Sequence, residues 1–129
     1  MKNNRFIILI ILLICLGTGF YLKANTPKEK KLRHVVAFKF KPGTTTAQMQ
    51  KATVDFLNLK KLVPQITELE GGPDISFEKK NGKFTHCFVV SVKSKADLDA
   101  YGAHPNHKAF SRSVDPLLAE VMVVDYWTE

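Results

Sequence analysis

The stretch HVVAFKFK, His34 to Lys41, carries Val36, Phe38 and Phe40 on one parity and Val35, Ala37 and Lys39 on the other. That alternation is the period of a β-strand, here with its bulkier face on the even-numbered residues. Pro42-Gly43 ends it. Thr44 to Thr46 then offer N-caps to a helix running to about Leu62, with Val54, Leu57 and Lys61 at helical spacing beside Phe56 and Leu59. Pro64 closes that helix. Ile66 to Lys79 reads as a second, interrupted strand whose Gly71-Gly72-Pro73 suggests a bulge or a sheet edge. Asn81-Gly82 predicts a hairpin turn into a third strand, Phe84 to Lys93, with His86, Phe88, Val90 and Val92 on one face.

Ser94 and Asp97 form a capping box that opens a short helix, SKADLDAYGAH. Pro105 cannot continue that helix but suits the first turn of a new one, which is expected to reach about Glu120. Val121 to Trp127 is the last strand. Strand, helix, strand, strand, helix pair, strand is an α+β, ferredoxin-like split-βαβ layout, an antiparallel sheet with helices on one face. The other face would carry Val35, Ala37, Cys87, Val89, Met122 and Val124, too apolar to leave wet, and predicts a homodimer built sheet against sheet.

Outside this domain, expected over residues 32–127, the chain changes character. Residues 1–24 hold Lys2 and Arg5 followed by an uncharged run from Phe6 to Leu22, the pattern of a signal or signal-anchor segment. Residues 25–31 are a polar linker containing Pro27. The short, signal-like start favours an exported or membrane-anchored protein, with residues 6–22 as the membrane partner and the domain outside the cytoplasm. The 129 residues carry a net charge of +7, yet seven Lys/Arg against Glu29 alone place +6 of it in residues 1–33. Residues 34–129 hold +1, so the domain lacks the basic stripe that nucleic acid requires. Cys15 and Cys87 stand far apart in different surroundings and make no disulfide framework.

All four histidines lie in the domain. His34 shares parity with Val36 and Phe38, and His86 with Phe88, so both are expected in the space between sheet and helices. Tyr101, His104 and His107 recur at three-residue spacing across the helix break and can line one side of that space. His107, early in a helix, meets the positive end of the dipole and is expected to stay neutral near pH 7, which suits a general base. Tyr101 would orient a substrate oxygen or supply a proton. The expected pocket is lined by His34, His86, His104, Val36, Phe38, Phe88 and Phe110, fits a small apolar or aromatic ligand, and calls for neither metal nor cofactor. Against it stands the plainer reading of each histidine as a satisfied core, rim or turn residue.

LRHVVAFKFKPG, FTHCFVVSV, YGAHPNHKAF and VVDYW together resemble the stress-responsive α/β barrel (Dabb) family, from about Leu32 to Trp127, the Tyr101–Phe110 stretch being the most specific part. The resemblance implies a dimeric α/β barrel in which two four-stranded sheets enclose the interface. A polyketide cyclase of that family uses a tyrosine and a histidine of this stretch in an aldol-type ring closure, roles that would fall on Tyr101 and His107. His34, His86 and His104 match histidines around the same pocket. The expectation is a stress-related small-ligand-binding module, with a lyase or cyclase using His107 as base and Tyr101 as partner as the alternative.

Overall fold

A computed structural model describes residues 29–129. The expected segment 1–24 and most of the linker lie outside the described residues. Among the described residues no helix is long and apolar enough to cross a membrane.

Four strands form one antiparallel sheet: β1 (Leu32–Phe40), β2 (Glu68–Pro73), β3 (His86–Val92) and β4 (Leu118–Trp127), in the spatial order β2-β3-β1-β4. Helices α1 (Thr46–Leu62), α2 (Lys95–Ala103) and α3 (Pro105–Val114) pack on one face. This is the ferredoxin-like α+β architecture expected from the element order. β1 lies between β3 and β4, and its register sets the site: His34 stands opposite Val90 and Asp125, Phe38 opposite His86 and Val121. The pairing of β1 with β4 slips between Lys39 and Phe40, the one irregularity in an otherwise continuous ladder.

The helix starts follow from local chemistry. Thr45 caps α1 with a full capping box, its hydroxyl accepting from the Gln48 N–H while the Gln48 side chain accepts from the Thr45 N–H at 2.8 Å. Such a cap is worth about 1 kcal/mol. Ser94 caps α2 through the Asp97 N–H. Phe56 and Leu59 of α1 meet Phe88 and Val90 of β3 in the core. Fully burying such side chains contributes roughly 1.5–3 kcal/mol each.

Three elements differ from the sequence reading. β2 stops at Pro73 rather than running to Lys79, because Asp74 turns the chain: its Oδ1 accepts from the Ser76 N–H at 3.0 Å and its Oδ2 from the Asn81 amide at 2.6 Å. Asn81-Gly82 therefore belongs to a loop over residues 74–85, where Lys79, Gly82 and Lys83 all take positive φ, and not to a two-residue hairpin. α3 ends at Val114, since Pro116 cannot extend it. A 3-10 turn over Asp115–Leu117 follows, and β4 begins at Leu118. At Gly71 the reading of an edge holds, for β2 is one of the two outer strands. A Cβ there would fall 2.3 Å from the Cys87 carbonyl oxygen and 2.6 Å from the Phe88 backbone, with φ at +148°, so only glycine fits.

The sheet's other face is bare in the single chain. Val124 and Tyr126 are about half exposed, and Cys87, Met122 and the apolar loop residues Ile75 and Phe77 are exposed as well. Ala37, opposite Cys87 and Met122 in the two ladders, is buried. The face ends in ion pairs, Lys31 and Arg33 with Glu68 at one end and Lys39 with Glu120 at the other.

Candidate functional site

Between β1–β4 and the α2–α3 pair lies a cavity of about 250 Å³, floored by His34, Val36, Phe38, Val121 and Val123 and roofed by Tyr101, His107, Phe110, Ser111 and Val114. Phe56, Asp115 and Leu118 complete its lining. The walls are mostly apolar, so the polar groups among them have a weight there that they would not have in water.

Those groups form one constellation. Tyr101 stands between two histidines: its ring centre is 4.4 Å from that of His107 and 5.8 Å from that of His34, the latter edge-on. The residue is 2% exposed and its hydroxyl has no hydrogen-bond partner among the described residues. A buried hydroxyl without a partner costs about 1–3 kcal/mol and calls for an explanation. Burial also pushes the phenol well above its ordinary pKa, so it stays protonated and remains a donor.

His107 is placed by the helix break. His104 ends α2 and caps α3, its Nδ1 accepting from the Asn106 N–H at 3.2 Å, and Pro105 occupies the first turn. That fixes His107 one residue beyond Asn106, where its Nδ1 donates to the Gly102 carbonyl at 3.2 Å. With the proton held on Nδ1, Nε2 carries the lone pair. The ring is held below the ordinary histidine pKa, first by burial; the Gly102 carbonyl and Asp115 oppose that lowering, and the charges of His34 and His104 add to it. The sequence reading expected the same direction, with the helix dipole as its cause. A neutral imidazole with a free Nε2 is a general base near pH 7.

His34 is oriented from the sheet. Its Nδ1 lies 2.6 Å from Oδ1 of Asp125, directly across the β1–β4 ladder. The carboxylate accepts, so Nδ1 carries hydrogen and Nε2 is the nitrogen left for a ligand. Asp125, Ser111 and Asp115 were absent from the sequence reading. Asp125 becomes visible only once HVVAF is paired antiparallel with VVDYW, which sets His34 against Asp125.

Of the residues expected in the pocket, the structure brings together Tyr101, His107, His34, Val36, Phe38 and Phe110. It places three elsewhere. His104 is spent on the cap between α2 and α3. Phe88 is fully buried against Phe56, ring centres 4.4 Å apart, with no face left for a cavity. His86, across the ladder from Phe38, lies on the far side of the phenylalanine cluster, with Nδ1 3.0 Å from the Thr85 hydroxyl and its ring edge-on to Phe40. Parity selects a face of the sheet; it says nothing of what stands between two residues on that face. Among the described residues no group of three or more His, Cys, Asp or Glu is arranged to hold a metal.

Comparison with known proteins gives four findings. The family model described as the stress responsive A/B barrel domain, Dabb, matches residues 32–128. Olivetolic acid cyclase of Cannabis sativa is 25% identical over 95 residues, which cover 74% of this chain and 94% of that protein. Among solved structures, a dimeric ferredoxin-like protein from Jannaschia sp. CCS1 is 26% identical with a TM-score of 0.65, covering 74% of this chain and 97% of that one. A hydroxynitrile lyase from Passiflora edulis reaches a TM-score of 0.73 at 23% identity, over 79% of this chain and 96% of that one, a likeness of fold alone.

Proposed function

We propose that this chain, which belongs to the stress responsive A/B barrel domain (Dabb) family, is a homodimeric lyase or cyclase that moves a proton on a small apolar carbonyl compound. The observation that carries the reading is the pairing of a buried, unpartnered Tyr101 hydroxyl with a His107 imidazole whose Nδ1 is already committed. His107 Nε2 takes a proton from the carbon next to the carbonyl. The electron pair moves onto the carbonyl oxygen, and the Tyr101 hydroxyl donates to the enolate so formed. The carbon then attacks a second carbonyl, and His107 returns its proton to the new alkoxide. His34, held by Asp125, supplies a second polar contact on the other side of Tyr101. The relative named for a cyclase supports this class of chemistry.

The dimer reading rests on the half-exposed apolar sheet face, framed by ion pairs, and on the dimeric relative. The apolar run 6–22, by its sequence, would tether or export the domain. A second reading keeps the pocket and drops the turnover, making the protein a small-ligand-binding module of a stress responsive family.

Phenylacetone, a one-ring ketone with exchangeable protons beside its carbonyl, tests the first reading in heavy water by NMR. The wild type is expected to speed proton–deuterium exchange above the buffer rate, and His107→Ala to return it to that rate with fold and dimer unchanged. Wild-type protein that binds phenylacetone without speeding exchange refutes the enzyme reading and leaves the binding module.

A further inference from the structure

His34 and His86 lie on the core-facing side of the sheet but do not share one space, and what divides them is a wall of phenylalanine rings. Phe38 is its centre: its ring lies 5.7 Å from that of Phe56, 5.3 Å from Phe88 and 6.4 Å from Phe110, while Phe40 stands 6.1 Å away. Rings with centres this close are in contact, and no methylene chain passes between them. On one side is the cavity with Tyr101, His34 and His107. On the other is a groove of about 510 Å³ between Met49 and Val54 of α1 and Pro73 of β2, with His86 at its floor. His86 is 9% exposed.

We propose that Phe38 sets the length of ligand the pocket accepts, confining it to single-ring or short-chain compounds and shutting off the His86 groove. This rests on the proposed pocket and adds its substrate class. An engineered apolar cavity of about 150 Å³ holds benzene, so the cavity here suits a ligand of roughly ten non-hydrogen atoms. A neutral compound is favoured, since the lining holds no Lys or Arg and includes the Asp115 carboxylate. Removing the ring at position 38 would join cavity and groove into one slot along the sheet, with His34 and His107 at one end and His86 at the other.

The test uses two phenols that differ only in chain length, 4-ethylphenol and 4-hexylphenol. Each is titrated into the full chain while the four histidine Cε1–H signals are followed by NMR. In the wild type 4-ethylphenol is expected to move the His34 and His107 signals and leave His86 still, with 4-hexylphenol at least tenfold weaker. Phe38→Leu is expected to erase that tenfold preference and let 4-hexylphenol move His86 as well. Should Phe38→Leu not fold, Phe38→Met removes the ring with a flexible side chain that adapts better to the gap, and the wild-type chain-length preference stands as a separate measurement. Wild-type protein that takes both phenols equally at His34 and His107 overturns the wall and leaves the pocket intact. A preference that survives loss of the ring overturns the assignment to Phe38. If neither phenol moves His34 or His107, the pocket reading itself fails.

Discussion

Tyr101→Phe separates stability from function at a single atom. The hydroxyl is shut away from solvent without a partner, so removing it relieves a desolvation cost of about 1–3 kcal/mol against a small loss of packing. A net gain of about 1 kcal/mol corresponds to a rise in Tm of roughly 4–8 °C for a domain of this size. Ligand binding moves the other way. Losing one hydrogen bond of about 0.5–1.5 kcal/mol weakens a one-ring ketone by roughly two- to twelvefold. Losing a donor to a developing oxyanion lowers the exchange rate by about 10²–10³. Differential scanning calorimetry of the unliganded protein, set beside the phenylacetone exchange rate, reads both signs on the same sample. A variant that melts below the wild type shows that the hydroxyl has a structural partner. A variant that exchanges phenylacetone at the wild-type rate removes Tyr101 from the chemistry.

The pH dependence follows from His107. Its pKa is lowered from 6.5, so the base form persists below that value, and the exchange rate is expected to hold through neutral pH and fall with a midpoint under 6.5. A midpoint at or above 6.5 would refute the burial argument. Stability has the same sign, because burial lowers both His107 and His86: below pH 6.5 the unfolded chain takes protons that the folded chain refuses, and the melting temperature drops as pH falls towards the folded-state values. For the dimer, Val124→Arg places a charge on the bare sheet face, opposite Val35 in the β1–β4 ladder, and is expected to give a monomer by analytical ultracentrifugation at micromolar concentration. A wild-type monomer, or a dimer that tolerates the arginine, would exclude this interface.

Most of the fold was legible because its signals are local. The alternation in HVVAFKFK, the caps at Thr45 and Ser94, and the proline after His104 each state their structure within a few residues. The misreadings arose where a local signal was overruled by one side chain acting over a short distance. Asp74 gathers Ser76 and Asn81 and makes a loop of what the Asn-Gly pair had marked as a tight turn. Pro116 stops α3 well before the point at which its helical pattern fades. The site was legible by half. Tyr101 and His107 belong to one continuous stretch, so spacing alone brings them together. Asp125 reaches His34 only through strand register, a relation between residues 91 positions apart that no periodicity contains. His86 was misplaced for the converse reason: it has the right parity, but bulky rings lie between it and the pocket.

The central strand has no idle face. Even positions of β1 build the pocket and odd positions build the surface expected to meet a second copy, and both assignments depend on the same two-residue repeat. A substitution in β1 touches one of these functions at a time. A single-residue insertion or deletion would exchange them throughout the strand, turning the histidine outward and small side chains into the pocket. Length variation is therefore barred from β1 but open to the 74–85 loop, whose exposed residues lie between strands that end at Pro73 and begin at His86. Relatives of this chain can lengthen or shorten at that loop while the reading frame of the sheet stays locked.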